Sequence, residues 1–470
     1  MSRTVLLISA NRCTTPDPVF PLGLAWINAA LRQAGHRTLW LDTLADADRC
    51  EQGLTAGRPD FVGISLRNID DVLIRKQETY FDDVISLGAR IRQQTDAPII
   101  LGGGGFSIFP QRLLELTRAD FGICGAGESS LVLLIEALTN GGDYDRIPGL
   151  VFRQNGKIVA NPAPPHLPGL ALTDADRPAP IAAHYLRAGG MLNLQTQRGC
   201  SFRCCYCTYP LIEGRRCLSR PPDMVAAEFE QLQRLGARYV FITDSIFNSS
   251  CQHAAEVCEA ILRRNVTMSW GCFLRPQGLT PELMELMARA GLAHIEFGSD
   301  SFCDEVLAAY HKDFTFDDIL FSSELARQAN IDFCHFLIAG GPGETRATLS
   351  QGFANSQRLQ GAVILAVGGM RIYPGTQLFE QAVAEKRIQR DADLLAPAYY
   401  LAPGLTPEAI FEQLQAFARL SPNWIVGDPD PAYTRLVGRL RQRGVVGPLW
   451  SYFAMIQRLW PQGFTRGAIP

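Results

Sequence analysis

Between residues 190 and 385 the sequence changes its apolar pattern six times over, from a short buried-looking run to an amphipathic stretch and back. The runs at 192–197, 239–243, 267–274, 294–298, 332–338 and 364–373 read as strands. The stretches at 222–235, 253–264, 281–290, 316–328, 346–357 and 377–384 read as the helices between them. Strands separated by helices must run parallel, because each helix returns the chain to the same edge of the sheet. Six such repeats predict a partial (βα)6 barrel like part of a TIM barrel, with its site where the strands end at their carboxyl side.

The loop leaving the first of these strands is Arg198-Gly199-Cys200-Ser201-Phe202-Arg203-Cys204-Cys205-Tyr206-Cys207. Cys200, Cys204 and Cys207 form C-x3-C-x2-C. Three thiolates this close can each bond one iron of a cubane and leave the fourth iron open to a substrate or cofactor. Cys205 neighbours Cys204 and would point away when both flanking cysteines bind. A zinc site would need a fourth protein ligand, and none is obvious nearby. Cys217, Cys251, Cys258, Cys272, Cys303 and Cys334 lack ligand spacing and read as small buried hydrophobes.

Residues 1–140 also alternate. Val5-Leu6-Leu7-Ile8, 38–41, 61–65, 98–101 and 121–124 read as strands, with helices at 22–33, 81–94 and 129–138. This predicts a doubly wound parallel sheet, whose ligands lie beyond the carboxyl ends of its strands. The loops at Ser65, at Gly102-Gly103-Gly104-Gly105 and at Gly125-Ala126-Gly127-Glu128 then share one crevice. A dinucleotide fingerprint belongs after the first strand, where this chain has Ser9-Ala10-Asn11-Arg12-Cys13 instead. Residues 141–190 read as a connector: a hairpin around Asn155-Gly156, then a proline-rich linker containing His166, with His184 beyond it, neither given a role. Residues 386–470 read as mostly helical, with helices at 406–420 and 432–443.

The net charge of −3 gives no basic field for nucleic acid. An odd count of 13 cysteines, an amino-terminal apolar run too short for a signal peptide, and no run long enough to cross a membrane point to reduced thiols and a cytoplasmic protein.

Two resemblances join these parts. The cysteine loop, with Tyr206 ahead of its last cysteine, resembles the signature of the radical S-adenosylmethionine (SAM) enzymes. Pro21-Leu22-Gly23-Leu24, Gly35-His36, 59–65, 102–105 and 125–128 resemble, in order and spacing, the cobalamin-binding domain that precedes many of them. The histidine motif that ligates cobalt in other cobalamin domains is absent after the first strand, as it is in most radical SAM relatives. Together they resemble the cobalamin-binding-domain-containing, class B methyltransferase-like branch of the radical SAM family.

The resemblance implies a [4Fe-4S] cluster on Cys200, Cys204 and Cys207, SAM chelated at the open iron, and cobalamin in the first domain. It implies reductive cleavage of SAM to a 5'-deoxyadenosyl radical and C-methylation of an unactivated carbon in a lipid or secondary-metabolite precursor. A cyclase or rearrangement enzyme using the same cofactors, and a non-catalytic sensor, are the alternatives. An external donor of the flavodoxin or ferredoxin type would supply electrons. Around SAM it implies Tyr206, Asp244 and Ser245 in place of the family's G-G-E, and Ser299 and Ser301 at the ribose; Arg371 opens a segment resembling the family's Y-P-G-T turn. Ser65, Gly102, Gly103, Gly104, Gly125, Gly127 and Glu128 would meet cobalamin. Asp244 has a second reading as a turn cap. Arg275 is either a fork for the SAM carboxylate or a solvated arginine. The aromatic segment 450–460 either packs on the barrel or contacts lipid at a membrane surface.

Overall fold

The computed structural model describes residues 2–46, 57–162, 174–427 and 431–452. His166, most of the proline-rich linker and residues 453–460 of the aromatic segment lie outside them. The chain divides into two compact units. The first comprises Met1–Asp71, Glu78–Tyr185 and Thr208–Arg216, and the second Val72–Gln77, Leu186–Cys207 and Cys217–Pro470.

The first unit is built on seven strands: β1 (Thr4–Ser9), β2 (Arg37–Asp42), β3 (Phe61–Ser65), β4 (Ile99–Gly102), β5 (Phe121–Ile123), β6 (Leu150–Gln154) and β7 (Lys157–Ala160). They lie in the order β2-β1-β3-β4-β5-β6-β7. The first five are parallel, and the hairpin expected around Asn155-Gly156 continues the sheet as two antiparallel edge strands. Val5, Leu6, Leu7 and Ile8 are fully buried because helices cover both faces of a parallel sheet, which is why β1 reads as an unbroken apolar run. The strand order reverses between β1 and β3, so their carboxyl ends flank the crevice of such a fold.

The second unit holds β8 (Leu192–Leu194), β9 (Gln197–Arg198), β10 (Leu218–Ser219), β11 (Tyr239–Ile242), β12 (Ser269–Leu274), β13 (Leu292–Asp300), β14 (Asp332–Ala339), β15 (Val363–Gly368), β16 (Met370–Arg371), β17 (Tyr399–Tyr400) and β18 (Trp424–Val426). Seven form one parallel sheet in the order β18-β15-β14-β13-β12-β11-β8, a partial barrel whose edge strands do not meet. Strand β18, only three residues long, was not expected from the sequence. Its neighbour in sequence, helix Pro407–Leu420, packs through Phe417 on Phe353 and Trp424.

In the described part of the aromatic segment, Trp450 packs inward while Tyr452 is exposed. Trp450 is buried, donates its indole N–H to Glu296 at 2.9 Å, and stands edge-on to His294. His294 also meets Tyr239, the first residue of β11, so Trp450 sits at the amino end of the barrel strands, away from the catalytic end. Among the described residues no helix is long and apolar enough to cross a membrane.

Candidate active site

The cysteine loop is fixed before it starts. Asp244, just past β11, accepts hydrogen bonds from the backbone N–H groups of Thr196 at 2.6 Å and Gln197 at 3.2 Å, and binds the Thr196 hydroxyl with its other oxygen. Arg220 donates to the Gln195 carbonyl and pairs with Glu228 at 2.5 Å, both side chains fully buried. Strand β10 then pairs with β9, closing the chain back on the base of the loop. Inside the loop, Cys207 N–H donates to the Cys204 carbonyl at 3.2 Å. Cys205 is held on both sides: its N–H donates to the Tyr310 carbonyl at 3.1 Å, and its carbonyl accepts from Leu378 N–H at 2.8 Å. Cys205 is buried, and burial pushes its thiol up to about 12.

Strand β13 aims charge at this loop. Its register against β14 shifts between Phe297 and Asp300, and Asp300 adopts a left-handed backbone with φ 63°. Such a bulge redirects a side chain at a strand end. Asp300 thereby meets both the Tyr206 hydroxyl and the Lys312 ammonium. Lys312 also donates to the Gly298 carbonyl at 3.1 Å. Burial works against the Lys312 charge, but Asp300 and then Cys204 outweigh it and hold its pKa above the ordinary value. Arg275, at the end of β12, lies 3.9 Å over the Phe202 ring and 4.9 Å over Phe314. Burial lowers its pKa, while the fields of Cys204, Asp313 and Cys200 oppose that. Its Nη2 makes no hydrogen bond among the described residues and lies 3.5 Å from the exposed Asp313 carboxylate. Two buried cations thus face the loop thiols, the environment that favours thiolate ligands.

Among the described residues no three His, Cys, Asp or Glu side chains converge on one metal-ion position. A cubane asks something different, because each thiolate bonds its own iron. The donor set and the cations around it fit that group.

Several expected SAM contacts are engaged within the fold. Both oxygens of Asp244 serve the strand exit, the turn-capping reading. The Ser299 hydroxyl is fully buried and lies 2.8 Å from Nδ1 of His335, whose Nε2 meets Ser323. The Ser301 hydroxyl accepts from Cys303 N–H at the start of helix Asp304–Ala309. The Arg371 guanidinium donates to the carbonyls of Ile372 and Leu394, each at 2.7 Å, and braces the turn after β15. Ser245 is half-buried beside Asp244. Tyr206 and Arg275 stand at the loop itself. Sequence reasoning passed over Lys312 and Tyr310. Both lie between elements, and their partners are distant in the chain.

In the first unit, the expected crevice residues do gather. Leu66 N–H donates to the Gly102 carbonyl at 2.9 Å, Ala10 N–H to the Ser65 carbonyl at 3.0 Å, and Gly125 N–H to the Ser107 hydroxyl at 2.9 Å. Gly103 has φ 96°, and a Cβ there would strike the Leu66 carbonyl. Gly127 precedes helix Glu128–Asn140, whose first residue, Glu128, is buried. Helix Tyr209–Ile212 adds a neighbour the sequence did not suggest. Ile212 lies against Gly104 and Gly125, so those two glycines make room for protein. Asn11, just beyond β1, is 2% exposed, and its Nδ2 has no hydrogen-bond partner among the described residues. A buried amide donor left open at the strand-order switch fits a ligand rich in carbonyl groups. His36 belongs to the opposite edge, where its Nδ1 accepts from Arg3 N–H.

A cysteine loop at the carboxyl end of a partial barrel, in a chain that also holds a doubly wound sheet with an open polar donor, defines a cluster enzyme with a nucleotide- or corrinoid-type domain. Comparisons with known proteins agree. The radical SAM superfamily model matches residues 194–351, and the B12 binding domain model matches residues 9–135. The chain is 26% identical over 443 residues to tryptophan 2-C-methyltransferase of Streptomyces laurentii, covering 79% of this chain and 73% of that protein. It is 26% identical over 350 residues to hopanoid C-3 methylase of Methylococcus capsulatus, covering 70% and 64%. The solved structure of the radical SAM methyltransferase TsrM from Kitasatospora setae, with cobalamin and a [4Fe-4S] cluster bound, superposes with a TM-score of 0.88. It is 26% identical and covers 99% of this chain and 100% of that one. The chain belongs to the B12-binding-domain-containing radical SAM enzymes.

Proposed function

We propose that this protein is a cobalamin-dependent radical SAM C-methyltransferase acting on a small molecule. The observation that carries the reading is the cysteine loop, pinned at Cys205 and faced by Arg275 and Lys312, in a chain that also holds a B12-binding domain. Cys200, Cys204 and Cys207 would hold the [4Fe-4S] cluster, and the crevice at Asn11, Ser65 and Gly103 would hold cobalamin. When bound, the cluster supplies the electron that cleaves SAM, and cobalamin carries the methyl group.

The chain's own part is to orient and to exclude water. Arg275 offers its open Nη2 to the SAM carboxylate, a charge-assisted contact in a buried setting. Tyr206 is held by Asp300, and its ring would form a fixed wall beside a cluster bound to the loop. Asp244 keeps the loop in register with the first strand and needs no ligand contact for that. Reducing equivalents come from a flavodoxin- or ferredoxin-type donor, in the cytoplasm.

Anaerobic reconstitution with iron, sulfide, cobalamin and SAM, followed by product analysis against candidate acceptors, tests this. Formation of S-adenosylhomocysteine together with a methylated acceptor is expected. With cluster and cobalamin both bound, turnover to 5'-deoxyadenosine without S-adenosylhomocysteine would assign a cyclase or rearrangement instead.

A further inference from the structure

The interior of the barrel is not packed as a closed barrel core would be. Strand register identifies the inward positions: Phe241 stands opposite Gly271, Phe273 opposite Glu296, and Phe336 opposite Leu365. The Phe241 and Phe273 rings are 5.0 Å apart at 70°, and Phe273 and Phe336 are 6.5 Å apart at 49°. All three, with Ile338, Leu365 and Val367, are only partly buried. The residues that alternate with them, Ile242, Cys272, Leu274, Phe297 and His335, are fully buried against the helices. Gly298 lies between β12 and β14 on the same inward face, and among the described residues no atom lies within 4 Å of where a Cβ would sit. Below this space Trp450 closes on Glu296, beside Cys334 and Val363. Above it are Lys312, bonded to the Gly298 carbonyl, and Arg275.

We infer that this space is a chamber for a flat, apolar ring of the substrate, seated beside Gly298 against the edges and faces of Phe241, Phe273 and Phe336. The inference rests on the proposed function and names the substrate class. Enclosed apolar walls with polar groups gathered at one end are the form of a small-molecule site. Phenyl rings set at steep angles offer edge-to-face contacts to a further aromatic ring. Water gains few hydrogen bonds there. The sugar and amino-acid parts of SAM would find no polar partner among these phenylalanines, so SAM belongs above the chamber. Gly298 sets the depth, because any side chain there projects into the empty volume.

Equilibrium dialysis with indole as the probe, on the full chain with its cofactors, tests the inference. Wild type should bind indole, Gly298→Ala should weaken it about threefold, and Gly298→Leu about tenfold or more, as lost methylene-sized space does in an apolar pocket. Gly298→Ala meets no atom of the described residues and keeps the test valid if the leucine variant fails to fold. No binding to wild type, equal binding by all three, or displacement of indole by SAM alone would overturn the chamber. S-adenosylhomocysteine formation is scored separately, so loss of methyl transfer with intact, Gly298-dependent indole binding would reject the proposed reaction and keep the chamber.

Discussion

At Tyr310 one residue serves two neighbours. Its hydroxyl donates to the Ile338 carbonyl at 2.7 Å and accepts from Gly341 N–H at 3.1 Å, and its own carbonyl receives Cys205 N–H. Glu344 lies 3.2 Å from the same hydroxyl and accepts Gly340 N–H at 2.8 Å. The turn after β14 and the cysteine loop are therefore tied through one phenol. Burial raises the Glu344 carboxyl from 4.5 to about 7, against the lowering effect of Gly340 and Tyr310. An acid whose pKa is raised by folding favours the folded state while protonated, so its contribution is present below 4.5 and is lost as pH rises through about 7. Urea midpoints of the wild type should fall across that window from this group. Glu344→Gln, which keeps an acceptor for Gly340, should show a flatter profile there. An identical slope in the two proteins would remove Glu344 as the cause. The link between the turn after β14 and Cys205 was not legible in the sequence, because Tyr310 lies far from both and carries no pattern of its own.

At the scale of elements, the apolar runs announced the strands because parallel strands are buried on both faces. The short pieces escaped for the opposite reason: β18 and helix Tyr209–Ile212 carry too few residues to show a period. The bulge in β13 was also hidden. Nothing in Gly298-Ser299-Asp300-Ser301 says that Ser299 turns to His335 while Asp300 turns to Lys312. Ser299 and Ser301, which the resemblance places at the ribose, meet His335 and Cys303 N–H within the fold. Of the two readings of the aromatic segment, the structure bears out packing at Trp450. Trp450→Ala removes a buried indole from between His294, Glu296 and Cys334, and should cost about 3–5 kcal/mol in unfolding free energy. Denaturant titration measures it. A loss under about 1 kcal/mol would mean the plug contributes little to the barrel.

At the scale of the molecule, the chain combines an element that suits cobalamin with one that suits a SAM-cleaving cluster. The sequence announced both because each depends on local spacing: glycine loops at strand ends in one, three cysteines on one loop in the other. What it could not announce is the division of labour around the loop. Arg275 and Lys312 face the thiols, Cys205 is withdrawn to anchor the backbone, and Asp244 is spent on the strand exit. The most direct measurement is iron content and the electron paramagnetic resonance spectrum of the reduced protein after anaerobic reconstitution, in wild type, Cys204→Ala and Cys205→Ala. The account predicts about four irons per chain and a [4Fe-4S]+ signal in wild type and in Cys205→Ala, and loss of both in Cys204→Ala. Full iron and an unchanged signal in Cys204→Ala, or their loss in Cys205→Ala from a protein that remains folded, would contradict it.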